Sequence, residues 1–154
     1  MVGDSSRFRQ HGYCAHKFQL PLHGETLFYW VVLSFWRYFR TQKFLFVIKD
    51  SGVKDFINQI CMGFDLDYRI VVLSGATLGQ AHSVELGVKD EDPKESLTIF
   101  NIDTILLDFS FPSNLKGYSG YLDFFIGEGD HWSFALVDEF GMVKETAEKK
   151  RISN

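Results

Sequence analysis

Three groups of residues have the types and spacing to handle a phosphorylated ligand. The first is the run Gly3-Asp4-Ser5-Ser6-Arg7, followed ten residues on by Lys17. Small residues let backbone N–H groups approach phosphate oxygens, while Arg7 and Lys17 could neutralise the charge. A solvated N-terminal tail would carry the same letters. The second group is Asn101-Ile102-Asp103, where a carboxylate closes an apolar run. An aspartate there is placed to hold Mg²⁺ against phosphate oxygens, or simply to cap a helix or form a turn. The third is Glu148-Lys149-Lys150-Arg151. Lysine suits phosphate as a point charge, although such a run is often only a solvated face.

Other chemistries have less to stand on. His11, His16, His23, His82 and His131 show no metal-ligand pairing beyond His82-x-x-Glu85, which reads as a surface contact on a helix. There is no G-x-S-x-G elbow and no complete G-x-x-x-x-G-K-[ST] loop. Hydrolase and P-loop readings therefore fall away.

The elements that must position these groups alternate. Residues 3–23 lack periodicity and read as a long loop. Gly24-Glu25-Thr26 opens a helix expected to run to about Arg40, apolar nearly all round. Residues 43–49, 68–73 and 97–102 are short, continuously apolar runs, as buried parallel strands would be. Helical spacing at 53–62 and 78–88 separates them. Strand and helix in alternation imply βαβ units and a parallel sheet. Beyond Asp103, residues 121–126, 132–137 and 142–146 read as short strands in an antiparallel or mixed extension. No repeat or Pro-rich linker marks a boundary, so one domain is expected over 1–154.

Composition sets the outer limits. The 154 residues are 45% hydrophobic, with 16 phenylalanines and three tryptophans, enough for one core and too apolar for disorder. A net charge of −4 disfavours a nucleic-acid partner but allows a local phosphate pocket. Cys14 and Cys61 are far apart, which fits a reduced, cytoplasmic protein better than a disulfide framework. The run 27–36 is too short to cross a bilayer and reads as a buried helix, so no membrane association is expected.

Taken in order along the chain, these signals resemble the sugar-phosphate nucleotidyltransferase family, of the glucose-1-phosphate thymidylyl- and uridylyltransferase kind. M-V-G-D-S-S-R-F is similar to that family's M-A-G-x-G-S-R-F, and L-P-L-H-G-E-T-L to its L-x-P-V-x-G-K-P-L. G-Q-A opening a helix, a strand ending in Asp and a late E-K pair complete the pattern. The resemblance implies a Rossmann-like, glycosyltransferase-A-type three-layer α/β sandwich with a mostly parallel mixed sheet. It implies that Gly3, Asp4, Ser5 and Ser6 wrap the phosphates, with Arg7, Lys17 and Lys149 neutralising charge. Gln80 would lie beside the base, Asp103 would hold Mg²⁺, and Asp130, Trp132, Ser133 and Glu148 would meet the acceptor. Ser5, His16 and Glu25 depart from the pattern, standing where relatives have glycine, proline and lysine. Against that pattern the strand before the phosphate loop and the C-terminal acceptor part are expected to be missing.

The implied reaction joins a nucleoside triphosphate (NTP) to a phosphorylated sugar or similar small acceptor and releases pyrophosphate, a step toward capsule or lipopolysaccharide. A non-catalytic nucleotide-binding protein derived from the family is the second expectation. An apolar interaction module using 27–36 and a sheet edge is the third. Exposed edge and apolar surface would also favour homo-oligomers or marginal stability.

Overall fold

The computed structural model describes Phe8 and residues 10–153. The chain is mixed α/β and divides into two compact units, Met1–Phe111 and Pro112–Asn154.

In the first unit, β1 (Pro21–Leu22) and β2 (Glu25–Thr26) form a minimal antiparallel hairpin. Its two turn residues, His23 and Gly24, both have positive φ (49° and 85°), the geometry that joins two strands most tightly. Helix α1 (Leu27–Leu33) follows directly, with the Thr26 side chain accepting from Tyr29 N. Strand β3 (Phe44–Ile48) leads into helix α2 (Lys54–Gly63), and β4 (Tyr68–Val72) into helix α3 (Gln80–Gly87). Strands β3 and β4 pair in parallel, Phe44 opposite Tyr68 through Ile48 opposite Val72. These two strands and the helix between them match the expected βαβ unit.

Strand alternation sorts the packing. Phe44, Phe46 and Ile48 face α1 and α2, where Phe28 meets Phe46 edge-on (5.3 Å between ring centres) and Phe35 meets Phe44. Phe28, Ile48, Ile57 and Cys61 are completely buried there. Burial also pushes the Cys61 thiol up to about 12, whereas Cys14 is exposed. On the opposite face, Gly87 of α3 sits so tightly against Val47 that a β-carbon would come within 2.4 Å of its Cγ2.

Four expectations need correction. The long helix stops at Leu33, because the Ser34 hydroxyl bonds back to Trp30 O (3.1 Å) and accepts from Leu106 N (3.0 Å). Phe35 then leaves helical geometry, and a 3-10 turn, Trp36–Tyr38, replaces the last part. The loop reading of 3–23 misses the 3-10 turn Lys17–Gln19 and strand β1. Residues 97–102 are not a strand: they line a cavity of about 290 Å³ that also borders β3, and they join no ladder among the described residues. Among the described residues the strands form one parallel pair and two separate antiparallel hairpins, not a mostly parallel sheet.

The second unit is built on β5 (Ser133–Val137) and β6 (Val143–Glu148), an antiparallel pair with an irregularity at Leu136/Val137. Asp138 organises its turn by accepting from Phe140 N (3.0 Å) and Met142 N (2.9 Å). Residues 121–126, expected as a strand, are not one, and Leu122, Phe124, Phe125 and Ile126 are exposed.

Candidate functional site

Phe18 sets the geometry around Lys17. Its ring is buried against Phe28 and Phe56, which anchors the 3-10 turn and turns its neighbours outward. His16 stacks on Phe18 (5.1 Å, nearly parallel) and reaches Asp50 Oδ2 with Nε2 at 3.1 Å. Asp50 in turn accepts from Gly52 N through Oδ1 (2.8 Å), which fixes its carboxylate just beyond the end of β3. Lys17 Nζ donates to Asp103 Oδ2 at 2.6 Å. Close by in sequence, Gln80 Nε2, on the first residue of α3, donates to Asn101 Oδ1 at 2.5 Å.

One cluster thus gathers at the carboxyl end of β3 and at the end of segment 97–102, where open α/β sheets place their ligands. Lys17 and Asp103 come from positions 86 apart in the chain, yet they meet directly. Their side chains are 31% and 49% exposed, and pairs this accessible to solvent contribute only about 0–1 kcal/mol. The fold does not depend on that contact. An anionic ligand could therefore exchange for Asp103 as the partner of the ammonium group at little cost.

His16 and Asp50 are the two members that the sequence reading passed over. A signal for Asp50 existed: like Asp103, it is a carboxylate closing an apolar strand-length run. His82 accepts from Leu78 N through Nδ1 (3.1 Å), so it closes the start of α3. Gly3, Asp4, Ser5, Ser6 and Arg7 lie outside the described residues.

The remaining candidates belong to the second unit. The Ser133 hydroxyl donates to Glu148 across the β5–β6 ladder. That bond, followed by the nearby Lys149 ammonium (3.4 Å), holds the Glu148 carboxyl below the usual glutamate range. Lys149 has positive φ (53°), and its N–H donates to Trp132 O (2.9 Å). Trp132 donates to Glu128 O (2.9 Å) and packs on His131, while Asp130 is exposed. Glu148, Lys149, Ser133 and Trp132 are therefore neighbours at one end of a hairpin.

Among the described residues, no group of three His, Cys, Asp or Glu side chains is arranged to hold a metal. Asp103 offers a single half-exposed carboxylate. That donor set fits only a cation such as Mg²⁺, which commonly takes one or two carboxylates and completes its shell with phosphate oxygens and water. No helix among the described residues is long and apolar enough to cross a membrane.

No family profile and no curated protein matches the chain. One solved structure does: the nucleoside-diphosphate-sugar pyrophosphorylase of Vibrio cholerae RC9. It is 37% identical, with a TM-score of 0.88 over 99% of this chain. The chain spans 66% of that protein's length.

Proposed function

We infer that the chain is a sugar-nucleotidyltransferase-like protein, and from that premise we propose that it transfers a nucleotidyl group from an NTP to a phosphorylated sugar, releasing pyrophosphate. The glycosyltransferase-A-type sandwich, an acceptor of the glucose 1-phosphate class and a cytoplasmic role in capsule or lipopolysaccharide synthesis are finer parts of the same proposal. The observation that carries it is the Lys17–Asp103 contact at the carboxyl end of β3, in a chain so similar to the Vibrio protein.

The chemistry needs no covalent enzyme intermediate. An oxygen of the acceptor's phosphate attacks the α-phosphorus in line, and pyrophosphate departs with its bonding electrons. Positioning and charge neutralisation carry such transfers. Lys17 exchanges Asp103 for phosphate oxygens, and Arg7 with the small residues Gly3 to Ser6 closes on the β- and γ-phosphates. Gln80 lies beside the base. Glu148, Lys149, Asp130, Trp132 and Ser133 meet the acceptor's sugar and phosphate. Asp103 would hold Mg²⁺, which supplies charge neutralisation on the phosphates when bound.

A second reading is a nucleotide-binding protein that does not turn over, in which the solvent-accessible Lys17–Asp103 pair meets phosphate without assisting transfer. Pyrophosphate release with each NTP and a panel of sugar 1-phosphates separates the two. Release that requires both substrates supports transfer. Saturable NTP binding without release supports the second reading, and neither result would overturn both.

A further inference from the structure

Two aromatic rings flank Lys17 in the chain, and they are held by different means. Phe18 is buried, its ring locked between Phe28 and Phe56. One ring in a core fixes where a short turn sits but leaves the turn able to pivot about that ring. A second attachment comes from the other side of Lys17. His16 is extended (φ −66°, ψ 148°), and the tight turn begins at the next residue. The His16 ring lies on Phe18, and its Nε2 meets Asp50 Oδ2. A carboxylate only accepts, so Nε2 carries the hydrogen. Nδ1 is enclosed and meets no partner among the described residues, which leaves Asp50 as the ring's polar tie.

Asp50 is a fixed point for that tie. Its Oδ1 accepts from Gly52 N at the opening of a 3-10 turn, Ser51–Val53, whose Val53 is buried, and α2 follows at once. The contact spans 34 positions and fastens the Lys17 turn to the junction of β3 and α2. The His16 side chain is only 16% exposed, so its ring has little room to swing away. Lys17 itself is held at its tip by Asp103, a contact the ammonium gives up when phosphate takes its place. What then keeps it aimed is the backbone on either side.

We propose that His16, acting through Asp50, is a positioning residue for Lys17: it stops the turn from pivoting on Phe18 and so presents the ammonium to the phosphates of a nucleoside triphosphate. This rests on the reading of Lys17 as a phosphate ligand. His16 itself touches no ligand. Its influence therefore falls on the triphosphate, which Lys17 meets, and spares the nucleoside, which it does not.

The test uses the intact protein, titrated by calorimetry with each NTP and with the matching nucleoside, and amide exchange followed by NMR without ligand. His16→Phe keeps a ring for Phe18 and loses the donor. It should weaken triphosphate binding about three- to tenfold, the range for one lost hydrogen bond, and leave nucleoside binding unchanged. Without ligand it should speed exchange about threefold or more at Gln19 and Leu20, whose N–H groups close the turn onto His16 O and Lys17 O. His16→Gln, whose amide can still donate to Asp50, should restore both. Asp50→Ala should reproduce the loss, and the two losses should not add in full. Faster exchange with unchanged triphosphate affinity would make His16 a structural residue only and overturn the proposal. Unchanged exchange, or a glutamine that restores nothing, would also overturn it. A loss in His16→Phe that Asp50→Ala does not share would make His16 a direct phosphate contact instead. Should the parent and Lys17→Ala bind triphosphate equally, or not at all, the reading of Lys17 falls and the role of His16 with it. That failure is told apart from the others because it is already present with His16 in place.

Discussion

At the scale of single residues, the two best candidates share one contact but should fail differently. A charge-assisted contact to phosphate is worth about 1.5–3 kcal/mol, so Lys17→Ala should weaken triphosphate binding about ten- to a hundredfold. Asp103→Asn should instead remove most Mg²⁺ dependence, because an amide is a poor ligand for a hard cation. His82→Ala should change neither. Titration calorimetry with and without Mg²⁺ tests all three, and equal small effects would mean that no phosphate site operates here. Glu148 gives a pH-linked prediction. Its folded-state pKa is lowered, first by the Ser133 hydroxyl and then by Lys149, so the support it gives the hairpin is present above the ordinary glutamate value. That support fades as pH falls through the lowered value. Ser133→Ala should move the Glu148 midpoint upward in a carbon-detected NMR titration; an unmoved midpoint would remove the hydroxyl as the main cause. Lys17 and Asp103 could be singled out in the sequence by residue type and order. Asp50 carried the same signal as Asp103, but its pairing with His16 could not be read, because their meeting depends on how Phe18 is anchored in the core.

Between residue and fold, the elements show what periodicity can and cannot reveal. Strands β3 and β4 were legible because a continuous apolar run between two helical patterns has few other places to go. Residues 97–102 carry the same apolar signal but join no ladder among the described residues, and hydrogen bonding across a ladder is not written in one strand's letters. The helix from Gly24 was legible at its start, where Thr26 caps it, and not at its end, where Ser34 bonds backward and sideways at once. Gly87 was silent in the sequence, yet it sets how closely α3 approaches β3. Gly87→Ala should lower the melting temperature: overpacking against Val47 costs about 1–3 kcal/mol, and alanine's helix preference returns up to about 1. Val47→Ala added to it should recover part of the loss in a double-mutant cycle. A Gly87→Ala protein as stable as the parent would show that α3 shifts freely.

For the molecule as a whole, the chain divides into two compact units, and the second exposes a good deal of apolar surface. Leu122, Phe124, Phe125 and Ile126 in the second unit are 53–87% exposed. Light scattering should therefore show association that grows with concentration, and Phe124→Ser with Ile126→Ser should reduce it. A monodisperse parent at high concentration would count against this. The overall class was legible from composition and from the order of weak signals, whereas the division at Phe111 carries no linker composition to announce it. The two cysteines bear on how any of this can be measured. Cys61 is sealed in the core and stays protonated far above neutral pH, while Cys14 stands in solvent three positions before Lys17. A maleimide dye added near neutral pH should thus attach at one site without any cysteine being engineered in or out. The protein already carries a single reporter position beside its candidate phosphate site, and quenching of that dye on adding NTP would follow occupancy directly.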